Sequence, residues 1–181
     1  MMSVLSTLHC VLLGCVLGPT TAPSTAPDSV EMDYRSFNGL NIPYPRDWSA
    51  RELSLLNGLL IVCPTTESDW QANVFVELRS EGRGKATSDS VDSRIKELKE
   101  RKRNFKLVDQ RVSQHPRGFE CGVIDYTCDD VGGAHLTEHQ VIVRLPDERR
   151  LYLLFSTADS NKQKYEPIFE QMLDALRIKP G

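Results

Sequence analysis

The stretch Asn38-Gly39-Leu40-Asn41-Ile42-Pro43-Tyr44-Pro45-Arg46-Asp47-Trp48-Ser49 combines a turn, a strand and a stop within twelve residues. Asn38 and Gly39 both tolerate the positive φ that a tight primed hairpin turn requires. After the turn Leu40, Ile42 and Tyr44 alternate with Asn41 and Pro43, the period of a half-buried strand. Pro43 and Pro45 lack the N–H that a ladder needs, which places this strand at a sheet edge. Trp48 follows as a large apolar plug for the interior.

Working outward, residues 31–37 form the other arm of this hairpin. Downstream, Asn57-Gly58 interrupts an apolar run, so residues 59–63 are expected to form a strand ended by Pro64. That strand is apolar on both faces, which suits a sheet covered on two sides. In residues 73–79, Val74, Val76 and Leu78 point one way and Asn73, Phe75, Glu77 and Arg79 the other. A helix is expected next, with Val91, Ile95 and Leu98 on one stripe. Ser88, Asp89, Ser90 and Asp92 are its expected caps, and Lys99, Arg101, Lys102 and Arg103 complement the dipole at its end.

Four strands follow with no helix between them, at residues 105–114, 119–128, 136–145 and 150–158. The turns around Pro116-Arg117-Gly118, Gly132-Gly133 and Pro146-Asp147 make them an antiparallel meander. Leu151 to Phe155 is the most apolar run and is expected at the centre of the sheet. Residues 164–176 read as a closing helix whose Ile168, Phe169, Met172, Leu173 and Leu176 form a wide apolar face. Pro167 is compatible with it only in the first turn.

The chain has 181 residues, 40% apolar and 26% charged, with a net charge of −3. That fits one domain with a short extension, and the charge argues against a dedicated nucleic-acid binder. Residues 1–17 resemble a secretory leader, too short in their apolar part to span a membrane. Leu12-Leu13-Gly14-Cys15 resembles a lipobox, which would make Cys15 the lipidated first residue of the mature protein. No basic residue precedes the apolar run, so cleavage elsewhere and an unprocessed tail stay open. Residues 18–29 hold three prolines and no large apolar side chain, forming a linker that spans roughly 35 Å if extended. The folded domain is therefore assigned to residues 30–181.

The elements Gly39-Leu40, Ile42, Tyr44-Pro45, Trp48 and the run from Tyr165 through Leu173, with a mid-chain helix and a meander, resemble the α/β/α sandwich superfamily of PsbP, the Ran-releasing nuclear import factor and DcrB-like lipoproteins. The resemblance spans residues 34–178. It implies an α+β fold, a mainly antiparallel sheet covered by helices, and binding or accessory work without catalytic residues.

The chemistry-bearing residues give no competing signal. His135 and His139 are about 13 Å apart on a strand and cannot chelate one ion as a local pair. His139 shares its face with Val141, Val143 and Leu145 and reads as a partly buried, hydrogen-bonded histidine. Asp129-Asp130 beside Gly132-Gly133 lacks the alternating ligands of a calcium loop. Cys63, Cys121 and Cys128 are odd in number, and Cys121 and Cys128 face opposite sides of one strand. A Cys121/His139 nucleophile pair has no local motif behind it. Seven basic residues against two acidic between 94 and 106 read as a solvated helix face, with anionic lipid headgroups as the alternative. Trp70 reads as a cover for a sheet end, with an exposed anchor for a partner as the alternative.

The expectation is thus an exported protein of the cell envelope or periplasm, lipid-anchored at Cys15. It binds an unidentified protein partner and has no catalytic, cofactor or metal residues. The rivals are an envelope enzyme and a cytosolic chaperone-like binder of hydrophobic segments.

Overall fold

The computed structural model describes residues 29–81 and 84–178. The leader, the lipidation site Cys15 and nearly all of the linker lie outside them. The first two strands, β1 (Met32–Phe37) and β2 (Leu40–Pro45), form a hairpin in which Asn38 and Gly39 have φ of 49° and 84°. This hairpin is a separate two-stranded ribbon and not the edge of the main sheet. Two prolines in β2 leave it few donors for a second neighbour, and it packs Phe37 and Ile42 into the core instead.

The main sheet contains β3 (Ser49–Leu53), β4 (Gly58–Val62), β5 (Asn73–Ser80), β6 (Arg103–Gln114), β7 (Glu120–Asp129), β8 (His135–Arg144) and β9 (Arg149–Ala158). Its order is β3-β4-β5-β9-β8-β7-β6, and every pairing is antiparallel. The apolar strand β9 is central, and β6 to β9 form the expected meander. β3 was not anticipated, because Ser49, Arg51 and Glu52 give it no apolar alternation; its pairing follows from the left-handed turn at Asn57.

Two helices cover opposite faces. α1 (Thr87–Arg101) lies over β6, β7 and β8 with Val91, Ile95 and Leu98 inward, against Ile124, Tyr126 and Ile142. Gly122 of β7 permits this approach, since a Cβ there would lie 2.3 Å from Val91 Cγ2. The expected side-chain caps are not made. Ala86 occupies the N-cap position, and the Ser90 hydroxyl instead donates to Glu81 at 2.6 Å. α1 does not reach β4, so Leu60 and Val62 are only half-buried on that face, while Leu59 and Ile61 are fully buried on the other.

α2 (Lys162–Ala175) covers the second face together with the β1-β2 ribbon. Pro167 lies in its second turn, not the first, and the helix continues through it. The apolar face overrides the missing backbone donor. Phe169 is its centre, with ring centroids 4.9 Å from Phe155 and 6.3 Å from Trp48; Trp48 also meets Tyr165 edge-on at 6.1 Å. Helix, sheet and hairpin plug thus converge on one side chain. Replacing Phe169 with Ala is expected to destabilise the domain by about 3–5 kcal/mol, read as a shift in the urea midpoint; an unchanged midpoint would show that α2 does not hold the fold this way.

Candidate functional site

Side chains at alternate positions share a face, so the face beneath α2 is built in rows across the meander. Cys121, Val143 and Leu151 form one row and Val123, Val141 and Leu153 the next. Both are buried and apolar. The following row is Asp125, His139 and Phe155, and the one after it Thr127, Thr137 and Thr157. The face therefore changes from dry core to polar floor within two residues of strand.

The polar end opens into a cavity of about 220 Å³ between sheet and helix. Phe155, Phe169 and Leu173 supply its apolar wall, and Asp159, Glu166 and Glu170 supply carboxylates. At its floor His139 Nδ1 hydrogen-bonds Asp125 Oδ1, and Arg111 of β6 donates to the other Asp125 oxygen at 3.0 Å. Arg111 also pairs with Asp109, and the His139 ring lies 5.8 Å from Phe155. The Thr137 hydroxyl donates to Asp159. Burial pushes the Asp125 carboxyl up, but the hydrogen bond and charge of His139 and those of Arg111 outweigh it and hold it below its ordinary value.

His139 is partly buried and hydrogen-bonded, as its strand pattern implies, and its partner is Asp125 on the neighbouring strand, a residue that no local motif marks. The structure does not bring Cys121 to His139. They share a face, yet Cys121 stands opposite Val143, four residues from His139, a separation of roughly 13 Å. The nearest polar partner of Cys121 is Ser113 Oγ at 3.6 Å. Cys63 lies against Thr65 and Tyr165, and Cys128 faces the α1 side against Glu138. Burial and the Glu138 charge push the Cys128 thiol up to about 12.

The remaining candidates have structural partners. His135 bonds Asp129 at 2.8 Å, and His115 stacks on Phe119 at 4.4 Å with Asp174 3.3 Å from its Nε2. Asp130 accepts from the Ala134 N–H, which is turn chemistry. Among the described residues no group of three or more His, Cys, Asp or Glu is placed to hold a metal ion. From the basic run, Lys102 pairs with buried Glu138 at 2.7 Å, and Arg94 donates to buried Gln140 at 2.8 Å while pairing with Glu97. Those two cations serve the interior. Trp70 is half-buried against the α1-side core.

No protein-family model and no curated protein matches the sequence. Solved structures do match in shape. The solution structure of the cyanobacterial PsbP protein, CyanoP, from Synechocystis sp. PCC 6803 aligns with a TM-score of 0.62, covering 90% of this chain and 100% of that one at 11% identity. The fold is PsbP-like. The crystal structure of PA94 from Pseudomonas aeruginosa, a protein of unknown function, aligns with a TM-score of 0.60 at 16% identity, covering 83% of this chain and 99% of that one. At such identities the likeness concerns the PsbP-like backbone alone, and the Asp125–His139 row is a feature of this chain's own side chains.

The lowered Asp125 carboxyl makes a pH prediction. A group whose folded pKa is depressed contributes stability above its unfolded pKa, and that contribution is lost as pH falls through the folded value. Asp125 should therefore contribute fully at neutral pH and lose its contribution below its ordinary value of 3.8. Urea midpoints measured from pH 7 to pH 2 are expected to fall less steeply at the acid end in Asp125→Asn than in the wild type; parallel curves would show that the pair does not couple to folding.

Proposed function

We propose that this chain is a non-catalytic binding protein of the cell envelope, exported and held to a membrane by lipid on Cys15, and that it works through the cavity beneath α2. The cavity's lining carries the reading: an aromatic and aliphatic wall beside an array of carboxylates, with His139 and Arg111 already engaged by Asp125. At about 220 Å³ it is smaller than the roughly 300–1,000 Å³ usual for metabolite pockets. One basic side chain of a partner protein, or a small organic cation, fits that size and charge. Its stem would lie on Phe155 and Phe169 and its head among Asp159, Glu166 and Glu170. Lys162, 3.9 Å from Glu166, is the competing internal cation.

Anchoring rests on Leu12-Leu13-Gly14-Cys15 and the proline-containing linker after it. No helix among the described residues is long and apolar enough to cross a membrane. A lipid on Cys15 supplies the attachment in this reading, two acyl chains binding firmly where one is marginal. A second reading, an envelope enzyme with His139 as base, draws on the same Asp125 hydrogen bond. It is favoured if His139→Ala folds, keeps its partner and still loses all function.

Two experiments test the proposal. Metabolic labelling with a palmitate analogue is expected to mark the wild type and not Cys15→Ala; equal labelling of both, or none of either, rejects the anchor. In NMR titrations, butylguanidinium and butylammonium are expected to shift the amides of Thr137, His139 and Thr157 while butyrate does not. Glu166→Gln combined with Glu170→Gln should weaken cation binding about 2- to 5-fold, the range expected of exposed ion pairs. Equal binding of butyrate rejects the cation site.

A further inference from the structure

β6 is the outermost strand of the sheet, twelve residues long and exposed along nearly all of them. Among the described residues no strand pairs with its outer edge, whose N–H and C=O groups are a template for another strand. Proteins commonly blunt such edges with charge and bulges, and β6 carries both: Asp109 and Arg111 on the strand, and a register break between Leu107 and Asp109. These features are arranged symmetrically. Read in either direction from Gln110, a charge of one sign meets its opposite at the same distance, followed by an exposed apolar residue.

We propose that two copies of this chain pair antiparallel through β6 about a two-fold axis at Gln110. In that register Asp109 stands opposite the second copy's Arg111, and Arg111 opposite its Asp109. Both lie on the α2 face, since their β7 neighbours are Asp125 and Val123. On the α1 face the exposed Leu107 and Val112, 39% and 45% accessible, face β7 neighbours Tyr126 and Gly122. The extra residue at the bulge, Val108, turns to the cavity. Leu107 is thereby brought opposite the second copy's Val112. A directly opposed pair of opposite charges stabilises an antiparallel ladder and a like pair destabilises it. The edge therefore repels arbitrary strands and fits its own copy, and this complementarity selects a second copy as the occupant.

An axis normal to the sheet keeps each face with its like. The two seven-stranded sheets become one sheet of fourteen strands, with both α2 helices and both cavities on the same side. The second copy's Asp109 then stands beside Arg111, which lines the cavity, so each copy contributes a charge to the margin of the other's site. Val30 donates its N–H to Gln171 of α2 at 2.9 Å, so the two domains also begin on that side.

The test uses the full chain with Cys10→Ser and Cys15→Ser. Residues on the axis are about 4.5–5.5 Å apart between Cα atoms, within disulfide range. Gln110→Cys is expected to form a covalent dimer rapidly under mild oxidation. Arg103→Cys, whose two copies would lie roughly 45 Å apart, is not. Equal yields for the two, or none for Gln110→Cys, overturn the proposal; the latter result is also expected if the chain's own N-terminal segment or a foreign strand occupies the edge. Sedimentation equilibrium supplies a readout without cysteine chemistry. Asp109→Arg, which opposes arginines at two symmetric places, is expected to weaken self-association about 10-fold. Asp109→Arg with Arg111→Asp should restore it, and that double variant should not pair with wild type. A monomeric wild type at 100 μM overturns the proposal, as does a dimer indifferent to both substitutions.

Discussion

Phe169 is held from three sides, and much of the molecule follows from that seat. Phe155 of the central strand lies beneath it, Trp48 meets it edge-on, and Tyr165 lies one turn back along α2. Covering β9 with a single short helix leaves a wide sheet only partly capped, and the β1-β2 ribbon closes part of the remainder with Phe37 and Ile42. The two prolines of β2 then make sense physically. They stop the ribbon from joining the sheet as a further strand, so its side chains are free to pack over the face. Phe169 also lines the cavity, so core and site share a wall, and a ligand there would rest on the residue that docks the helix.

The cavity exists because one helix does not cover the width of the sheet. On β7, β8 and β9 the pattern under α2 is apolar until Asp125, His139 and Phe155, then becomes threonine. Seven strands about 4.8 Å apart make a sheet roughly 30 Å wide, whereas a helix covers a band about 10 Å wide, and α2 flanks the cavity from Lys162 to Leu173. Beyond that band an apolar face would be exposed, and polar residues that bond one another occupy it instead. The opposite face solves the same problem differently. There Arg94 of α1 and Lys102 just after it reach down to Gln140 and Glu138, which are almost wholly buried. Their partners leave little capacity for a ligand, while Glu166 and Glu170 across the sheet sit on an open rim.

Most of the architecture was legible because it is written in local patterns. The meander strands could be placed from alternation and turns, the central position of β9 from its apolar content, and both helices from their stripes. The errors came where tertiary context outweighed local preference. Ser90 had a better acceptor in Glu81 than a cap position offered, and Pro167 was carried by the burial of Phe169 and Met172. β3 lacks any apolar alternation and exists only because the turn at Asn57 returns the chain alongside β4. The register at the site was closer to legible than its recognition was. Asp125 and His139 are equidistant from Gly132, the centre of a turn plain in the sequence, and His139 and Phe155 are equidistant from Asp147. Counting outward from those turns places all three in one row.

By itself the sequence determined the order of elements, the antiparallel meander, the central strand, the plug at Trp48 and the opposite facing of Cys121 and Cys128, because each depends on a period of two or 3.6 or on the φ a turn demands. Only the tertiary structure decided that Arg111 joins the Asp125–His139 row and that Phe169 forms a wall of the cavity above it. Both join residues distant in sequence, through strand pairing and helix docking, which no local period and no turn count encodes.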